Sequence, residues 1–187
     1  GGGHGQITKT LIQSGCDVTV LGSDSVCQQR IQHFIDKGQC QFKVGDILNL
    51  PFPDHSFDAV ISYRLLAHVS QWQTYLTELA RMTKQAVLID YAEVYSFNYF
   101  EPYLFQYKKQ IEGNTRTYTC FKKSDLLPIF HKGGLVYADD YRQFFLPMVL
   151  HRKLNKVALS TIAENISQSL GLTRLMGSPV ILKMVRE

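Results

Sequence analysis

The chain has 187 residues, a length that suits one α/β domain with a substantial hydrophobic core. Its composition, 45% hydrophobic and 19% charged, is ordinary for a globular protein and argues against a disordered or low-complexity chain. The net charge of +4 comes from basic residues scattered along the sequence, so a nucleic-acid groove is not favoured.

A glycine-rich loop, GGGHGQ, occupies residues 1–6 and precedes an amphipathic run over residues 7–14 that predicts a helix. Residues without a Cβ let the backbone turn tightly and approach a ligand closely. A helix that begins here would direct free N–H groups toward a carboxylate or phosphate. The spacing is G-x-G-x-G, whereas a dinucleotide-binding loop, G-x-G-x-x-G, would need glycine in place of Gln6. The loop therefore favours a ligand other than a dinucleotide.

A buried parallel strand is predicted over Val18 to Leu21, because the apolar run there is short and continuous. The next helix is expected to begin at Asp24 and Ser25 and to end at Gly38. Asp24 stands where nucleotide-binding sheets place an acid that holds a ribose diol. Aspartate is also among the best helix N-caps, and the two roles are compatible. The face expected to point inward consists of Val26, Arg30, Ile31, Phe34 and Ile35.

A third strand is predicted over residues 40–44, followed by Gly45 and Asp46. The segment that runs from there through residue 62, VGDILNLPFPDHSFDAVIS, resembles GD…LPFPD.SFD.V.S of the class I S-adenosylmethionine-dependent methyltransferases. It is most similar to the subgroup that includes the ubiquinone and menaquinone biosynthesis methyltransferases. The G-x-G-x-G loop resembles motif I of the same family. Loop, acids and block occur in the family's order over roughly residues 1–90.

The resemblance implies a Rossmann-like class I methyltransferase sandwich, with a mostly parallel sheet, an antiparallel C-terminal edge and S-adenosylmethionine as cofactor. It implies that Asp46 accepts a hydrogen bond from the adenine amino group and that Ile47 meets the ring, although Asp46 also suits a plain turn. The cofactor-binding residues expected on this basis are Gly1, Gly2, Gly3, Gly5, Asp24, Ser25, Asp46, Ile47, Ser62, Tyr63 and Arg64.

Members of this family have a first strand before the glycine loop, whereas this sequence opens on the glycine itself. We therefore expect that the first strand is missing from the given chain, which would be part of a longer polypeptide. The given residues 1–187 are expected to form a single methyltransferase domain. Residues 1–90 would be its cofactor-binding part, and residues 91–177 its substrate or lid part.

A strand is predicted over Phe57 to Ser62, and the turn that follows it would lie beside the methionine part of the cofactor. Tyr63 and His68 are the candidate catalytic residues, although a lone histidine in a helical turn is more often a scaffold residue. Asp58, at the start of the strand, is expected to be structural. The next helix is expected to bury Trp72, Tyr75, Leu76, Leu79 and Met82.

Residues 86–90 predict another strand, and the residues after it supply the candidate substrate-binding side chains Tyr91, Glu93 and Tyr95. Aromatic residues are dense from Tyr95 to Tyr118. They fit equally a helix that packs its aromatic rings on the core and a lid over the methyl acceptor.

The remaining elements are a helix over Lys123 to His131, a strand over Leu135 to Leu146, a helix over Met148 to Leu170 and a last strand over Ser178 to Val185. The two strands are expected to form the antiparallel edge. The long helix is expected to turn inward Leu150, Leu154, Val157, Ile162, Ile166 and Leu170.

The predicted function is methyl transfer from S-adenosylmethionine to a small-molecule or lipid-like acceptor, with a non-catalytic S-adenosylmethionine-binding module as the alternative. An NAD-dependent oxidoreductase is disfavoured by Gln6 and by the block at residues 44–62. The identity of the acceptor, the choice of O-, N- or C-methylation and the oligomeric state are not encoded in any pattern that we recognise.

The four cysteines show neither a C-x-x-C pair nor histidines at zinc-site spacing, so we expect no metal and free thiols in a reducing compartment such as the cytoplasm. The longest apolar stretches, such as Phe144 to Leu150, fall far short of the roughly 20 residues that a membrane span requires.

Overall fold

A computed structural model of the chain describes residue 5 and residues 7–96, 119–145 and 157–187. The chain divides into two compact units, Gly1–Pro53 and Asp54–Glu187. The single domain expected over residues 1–187 stays a prediction.

The first unit contains helix α1 (Thr8–Gln13), strand β1 (Val18–Gly22), a 3₁₀ turn (Ser25–Ile31) that leads into α2 (Gln32–Ile35), and strand β2 (Cys40–Val44). β1 and β2 form a two-stranded parallel sheet in which Val18 pairs with Cys40 and Gly22 with Val44. A parallel pair requires a crossover connection, which the 3₁₀ turn and α2 supply.

The core of the first unit is formed by Val20, Ile31 and Cys40, with five half-buried side chains packed on it: Ile12, Val18, Phe34, Ile35 and Phe42. Two residues expected to point inward do not, since Val26 is 61% exposed and Arg30 is also exposed. The expectation assumed α-helical spacing, whereas this segment is a 3₁₀ helix. With 3.0 residues per turn, side chains four apart diverge by about a third of a turn, so they do not share a face.

The second unit carries the remaining elements. They are β3 (Phe57–Ser62), a 3₁₀ turn (Leu66–His68), α3 (Trp72–Met82), β4 (Thr83–Tyr91), α4 (Lys123–Lys132), β5 (Leu135–Phe144), α5 (Val157–Ser169), α6 (Leu172–Met176) and β6 (Ser178–Arg186).

The sheet of the second unit has the strand order β3-β4-β6-β5. β3 and β4 are parallel, whereas β6 is antiparallel to both β4 and β5. The expected antiparallel pairing of the last two strands is confirmed. The predicted α/β class, a parallel arrangement with an antiparallel C-terminal edge, is confirmed with it.

The core of the second unit lies between this sheet and the helices. Leu76 on α3, Phe130 on α4, Ile89 on β4 and Leu182 on β6 are all fully buried. The face predicted for α3 is confirmed by the burial of Tyr75, Leu76, Leu79 and Met82, while Trp72 is half-buried with its ring edge-on to Phe121.

Helix α5 corrects one expectation. Ile162, Ile166 and Leu170, predicted to face inward, are 55%, 55% and 67% exposed. Glu164 and Ser167 are buried in their place, and the Glu164 carboxylate accepts a hydrogen bond from the Phe145 N–H at 3.0 Å. Two polar side chains of this helix therefore face inward where apolar ones were expected. Residues 148–156, with Leu150 and Leu154, and the side chain of Val157 lie outside the described residues.

The segment before β3 is fastened to the end of α3 and the start of β4. The His55 N–H donates to the Arg81 carbonyl at 2.9 Å, and His55 Nδ1 lies 3.0 Å from the Thr83 carbonyl. Asp54 pairs with Arg81 at 2.7 Å, and Asp58 pairs with Lys84 at 3.6 Å on the surface. Two acids of the LPFPD.SFD block thus anchor the strand.

Across the described helices, none has both the length and the apolar character needed to cross a membrane.

Candidate functional site

Asp24 and Asp46 lie at one edge of the β1–β2 sheet. Each follows its strand by two residues, β1 ending at Gly22 and β2 at Val44. The two strands are parallel and in register to their last residues, and the Gly45 N–H continues the pairing with a bond to the Gly22 carbonyl at 3.1 Å. Because neighbouring parallel strands end at the same edge, both carboxylates leave the sheet on the same side. This is the edge at which open α/β sheets bind ligands.

Both aspartates use one carboxylate oxygen to close a local turn. Asp24 Oδ1 accepts hydrogen bonds from the Val26 N–H at 2.9 Å and from Ser25 Oγ at 3.2 Å, which makes Asp24 the N-cap of the following 3₁₀ helix. Asp46 Oδ1 accepts from the Leu48 N–H at 2.9 Å. Among the described residues, neither Oδ2 has a hydrogen-bond partner, and both side chains are exposed. Each carboxylate is therefore oriented by the chain and keeps an oxygen that can accept a hydrogen bond from a ligand. Ile47, beside Asp46, is half-buried.

Gly5 is the one glycine of the opening loop that the structure describes, since residues 1–4 and 6 fall outside it. Its φ is +59°, a conformation that side chains disfavour, and a Cβ built on it would lie 2.5 Å from Cγ2 of Ile31 in the unit's core. Glycine is required here for backbone conformation and for close packing.

A second edge, in the other unit, lies at the carboxyl ends of the parallel strands β3 and β4. Ser62 pairs with Ile89, which brings the turn at Tyr63 and Arg64 beside Asp90. Arg64 has φ +59°, and its N–H donates to Asp90 Oδ1 at 2.6 Å. A residue other than glycine in this region costs about 1–3 kcal/mol, and such residues cluster at functional sites. The bond between the two strand ends holds the strained turn in place.

The Ser62 hydroxyl, predicted to bind cofactor, is already bonded within the protein, since it accepts a hydrogen bond from the Tyr75 hydroxyl at 2.5 Å. Burial raises the pKa of Tyr75 to about 12, so the phenol stays protonated and donates at neutral pH. Burial and, second, the Asp90 carboxylate raise the pKa of Tyr63, which makes its phenolate scarce at neutral pH. Neither Tyr75 nor Asp90 was predicted to be a site residue, although the position of Asp90 at the end of a predicted strand is a signal for one.

Glu93 is 3% exposed and follows the end of β4. Its Oε2 lies 3.3 Å from the Tyr91 hydroxyl and 3.5 Å from Nη2 of Arg142, while its Oε1 is buried and has no hydrogen-bond partner within the part of the chain that the structure describes. An unsatisfied buried acceptor costs about 1–3 kcal/mol. Tyr91 is 2% exposed, and burial raises the pKa of its phenol above the usual range. These two substrate-binding candidates therefore form a buried polar pair.

His68 and Tyr95, in contrast, lie on the surface. His68 is exposed at the end of the 3₁₀ turn, and Tyr95 is 65% exposed with Nζ of Lys122 5.7 Å from its ring. The aromatic segment from residue 97 to residue 118 falls outside the described residues, so the choice between lid and core stays open. Within the part of the chain that the structure covers, no cluster of three His, Cys, Asp or Glu side chains suits a metal ion.

Comparison with known proteins identifies the fold to which both edges belong. Residues 1–89 match the family model described as "Methyltransferase domain". The magnesium protoporphyrin IX methyltransferase from Synechocystis PCC 6803, solved with bound S-adenosylhomocysteine, superposes with a TM-score of 0.64. At 16% identity, the alignment covers 98% of this chain and 70% of that one. The fold is that of the class I methyltransferases. The methyltransferase fold explains why the candidate residues fall at the carboxyl ends of parallel strands.

Two curated relatives of this methyltransferase-fold chain match over shorter segments. A fatty-acid O-methyltransferase of Mycolicibacterium smegmatis (strain ATCC 700084 / mc(2)155) is 32% identical over 84 residues, which are 45% of this chain and 30% of that protein. An uncharacterized methyltransferase of Schizosaccharomyces pombe (strain 972 / ATCC 24843) is 44% identical over 45 residues, 24% of this chain and 16% of that protein. The chain thus matches less than a third of either relative's length.

Proposed function

We propose that this chain carries out methyl transfer from S-adenosylmethionine to a small-molecule or lipid-like acceptor. The proposal is supported by the methyltransferase-domain match over residues 1–89 and by the fold. The observation that carries it is the pair of oriented carboxylates, Asp24 and Asp46, at one edge of a parallel sheet. When bound, the cofactor supplies an activated methyl group. The protein contributes binding, orientation and exclusion of water.

Asp24 and Asp46 fit the adenosine half of such a cofactor. An exposed carboxylate oxygen at the end of β1 suits the two hydroxyls of a ribose, and one at the end of β2 suits the adenine amino group. In this proposal Ile47 packs on the ring, and Ser25 and the glycine loop with Gly1, Gly2, Gly3 and Gly5 lie against the rest of the molecule. The fit is chemical, since both ligand groups are hydrogen-bond donors and both oxygens are acceptors.

In the second unit, Ser62, Tyr63 and Arg64 are proposed to contact the methionine part of the cofactor, and Tyr91, Glu93 and Tyr95 to contact the acceptor. Alignment of the acceptor with the methyl group can lower the barrier by about 7–11 kcal/mol without any acid or base. Where the acceptor is a hydroxyl, a base adds roughly 10²- to 10⁴-fold. Tyr63 and Tyr91 have raised pKa values and suit this role less than Glu93 or His68.

The similarity to a fatty-acid O-methyltransferase supports a lipid-like acceptor with an oxygen nucleophile. The block at residues 44–62 supports membership in the ubiquinone and menaquinone biosynthesis subgroup. The two suggestions share an apolar acceptor, and we adopt that shared chemistry. A cytoplasmic location is part of the same proposal.

The test is calorimetric titration with S-adenosylhomocysteine, using Asp24→Asn and Asp46→Asn. Asparagine is as good an N-cap as aspartate, and its carbonyl oxygen can keep the bond to the backbone N–H. Its NH₂ group then replaces the acceptor oxygen and faces the ligand with a donor. We expect each variant to unfold at the wild-type temperature and to bind at least tenfold more weakly.

Asp36→Asn is the matched control, because Asp36 is an exposed aspartate of the same unit whose Oδ1 accepts a hydrogen bond from Gln32 Nε2 at 2.7 Å. It should bind as the wild type does. Wild-type affinity in both Asp24→Asn and Asp46→Asn would refute the proposed adenosine site. Transfer of a labelled methyl group to long-chain carboxylic acids and quinols then tests the acceptor class.

A further inference from the structure

We propose that Asp90 is a positioning residue, whose buried carboxylate holds the Arg64 backbone in its left-handed conformation and so sets where Tyr63 and Arg64 lie. The proposal rests on the proposed function, in which these two residues contact the cofactor. It concerns a residue that no sequence motif singled out.

The contact joins the ends of two neighbouring strands. The Arg64 N–H donates to Asp90 Oδ1 at 2.6 Å, a bond between residues 26 apart in sequence. The distance is short, as expected for a hydrogen bond to a charged acceptor. Asp90 itself is 8% exposed and lies in β4, so its position is fixed by the sheet.

The turn needs such a partner. A φ of +59° is uncommon for a residue with a side chain, such as arginine. Among the described residues, only Arg64 and His55 have positive φ without being glycine. His55 is likewise held by bonds, to Arg81 and Thr83. In both places a strained backbone is secured by a contact to β4 or to the end of the helix before it.

A carboxylate at residue 90 costs free energy because it is buried, and packing alone does not explain why an acid occupies this position. Its neighbours in the strand, Ile89 and Tyr91, are buried, and burial raises the pKa of Asp90 because it disfavours the charged form. An apolar residue would avoid this cost. What the carboxylate adds is an acceptor for the Arg64 N–H, at the point where the chain turns away from β3 toward the ligand edge.

The test is a double-mutant cycle between residues 90 and 64, measured as S-adenosylhomocysteine affinity by calorimetry. Glycine adopts positive φ without strain, so Arg64→Gly should make the turn independent of Asp90. Arg64→Ala lacks the same side chain but keeps the Cβ, and it is the matched background. We expect Asp90→Ala to weaken binding about tenfold in the wild type and in Arg64→Ala, and less than threefold in Arg64→Gly.

Asp90→Asn provides a second route, because its carbonyl oxygen can still accept from the Arg64 N–H. The affinity of Asp90→Asn for S-adenosylhomocysteine should lie within threefold of the wild-type value. This measurement tests the proposal even if Asp90→Ala does not fold. Equal losses on Asp90→Ala in the Gly and Ala backgrounds would overturn the proposal, as would a tenfold loss in Asp90→Asn.

These experiments distinguish a failure of the positioning role of Asp90 from a failure of the proposed function. If the wild type did not bind S-adenosylhomocysteine, both would fall. If the wild type bound, and Asp24→Asn weakened binding while residues 90 and 64 acted independently, only the positioning role would be wrong.

Discussion

In the unit of residues 1–53, Asp24 and Asp46 are held by hydrogen bonds to N–H groups only two residues further along the chain, and both side chains stay exposed. In the unit of residues 54–187, Ser62 is held by a buried hydrogen bond from Tyr75, 13 residues away, and Arg64 by a partly buried one to Asp90, 26 residues away. A local turn needs only a few residues of the right type. Hydrogen bonds between residues distant in sequence need the surrounding core in place. Substitutions in the core of the second unit should therefore also disturb its candidate site residues.

The largest expected effect concerns the core of the second unit. Leu76 on α3 is fully buried beside Tyr75, and Leu76→Ala should lower the free energy of unfolding by about 2–5 kcal/mol because it leaves a cavity. Urea unfolding measures it. Leu175→Ala, at a 71% exposed leucine of the same unit, is the control and should change stability by less than about 0.5 kcal/mol. Equal effects would mean that the core around α3 is not packed as described.

The next effect concerns the first unit. Gly5→Ala should cost about 2 kcal/mol, because it places a Cβ against Ile31 and forces a side chain into positive φ. Gly15→Ala is the control, since Gly15 also has positive φ but has open space around it, and it should cost about 1 kcal/mol. The difference in urea midpoint between these two variants measures the cost of the contact between a Cβ at residue 5 and Ile31. No difference would show that Gly5 does not approach the core.

A smaller effect is expected at the hydrogen bond under the second edge. Tyr75→Phe removes the donor to Ser62 and should cost about 1 kcal/mol, measured by thermal unfolding. Tyr141→Phe, at a 60% exposed tyrosine, should be neutral. A neutral Tyr75→Phe would contradict the claim that the Tyr75–Ser62 hydrogen bond supports this edge.

Much of the fold follows from the sequence, because Cys40–Val44 alternates apolar and polar residues, Phe57–Ser62 contains an apolar run over residues 59–61, and glycine, proline and polar turns bound both strands. Asp24 was predicted from its place after a strand and Asp46 from the family resemblance, and the turn that orients each carboxylate is local in sequence. Helix α5 was misread because three apolar residues at helical spacing outweighed Glu164, whose partner lies on another segment. Asp90 and Tyr75 were overlooked for the same reason. Their partners are close in space and distant in sequence.

The smallest effect is a pH dependence. Burial raises the pKa of Asp90 in the folded state above its ordinary value of 3.8, so the folded protein holds this proton more tightly than the unfolded chain does. Its contribution to stability is fully present below pH 3.8 and is lost as the pH rises through the raised pKa. The wild type should therefore gain stability relative to Asp90→Asn as the pH falls from 7 toward 4. A constant difference in urea unfolding free energy across that range would contradict the assignment.

The most direct measurement is a crystal structure with S-adenosylhomocysteine bound. We expect a carboxylate oxygen of Asp24 within about 3 Å of a ribose hydroxyl and one of Asp46 within about 3 Å of the adenine amino group. A structure in which the adenosine lies elsewhere, with neither carboxylate within hydrogen-bond distance of it, would contradict the proposed adenosine site.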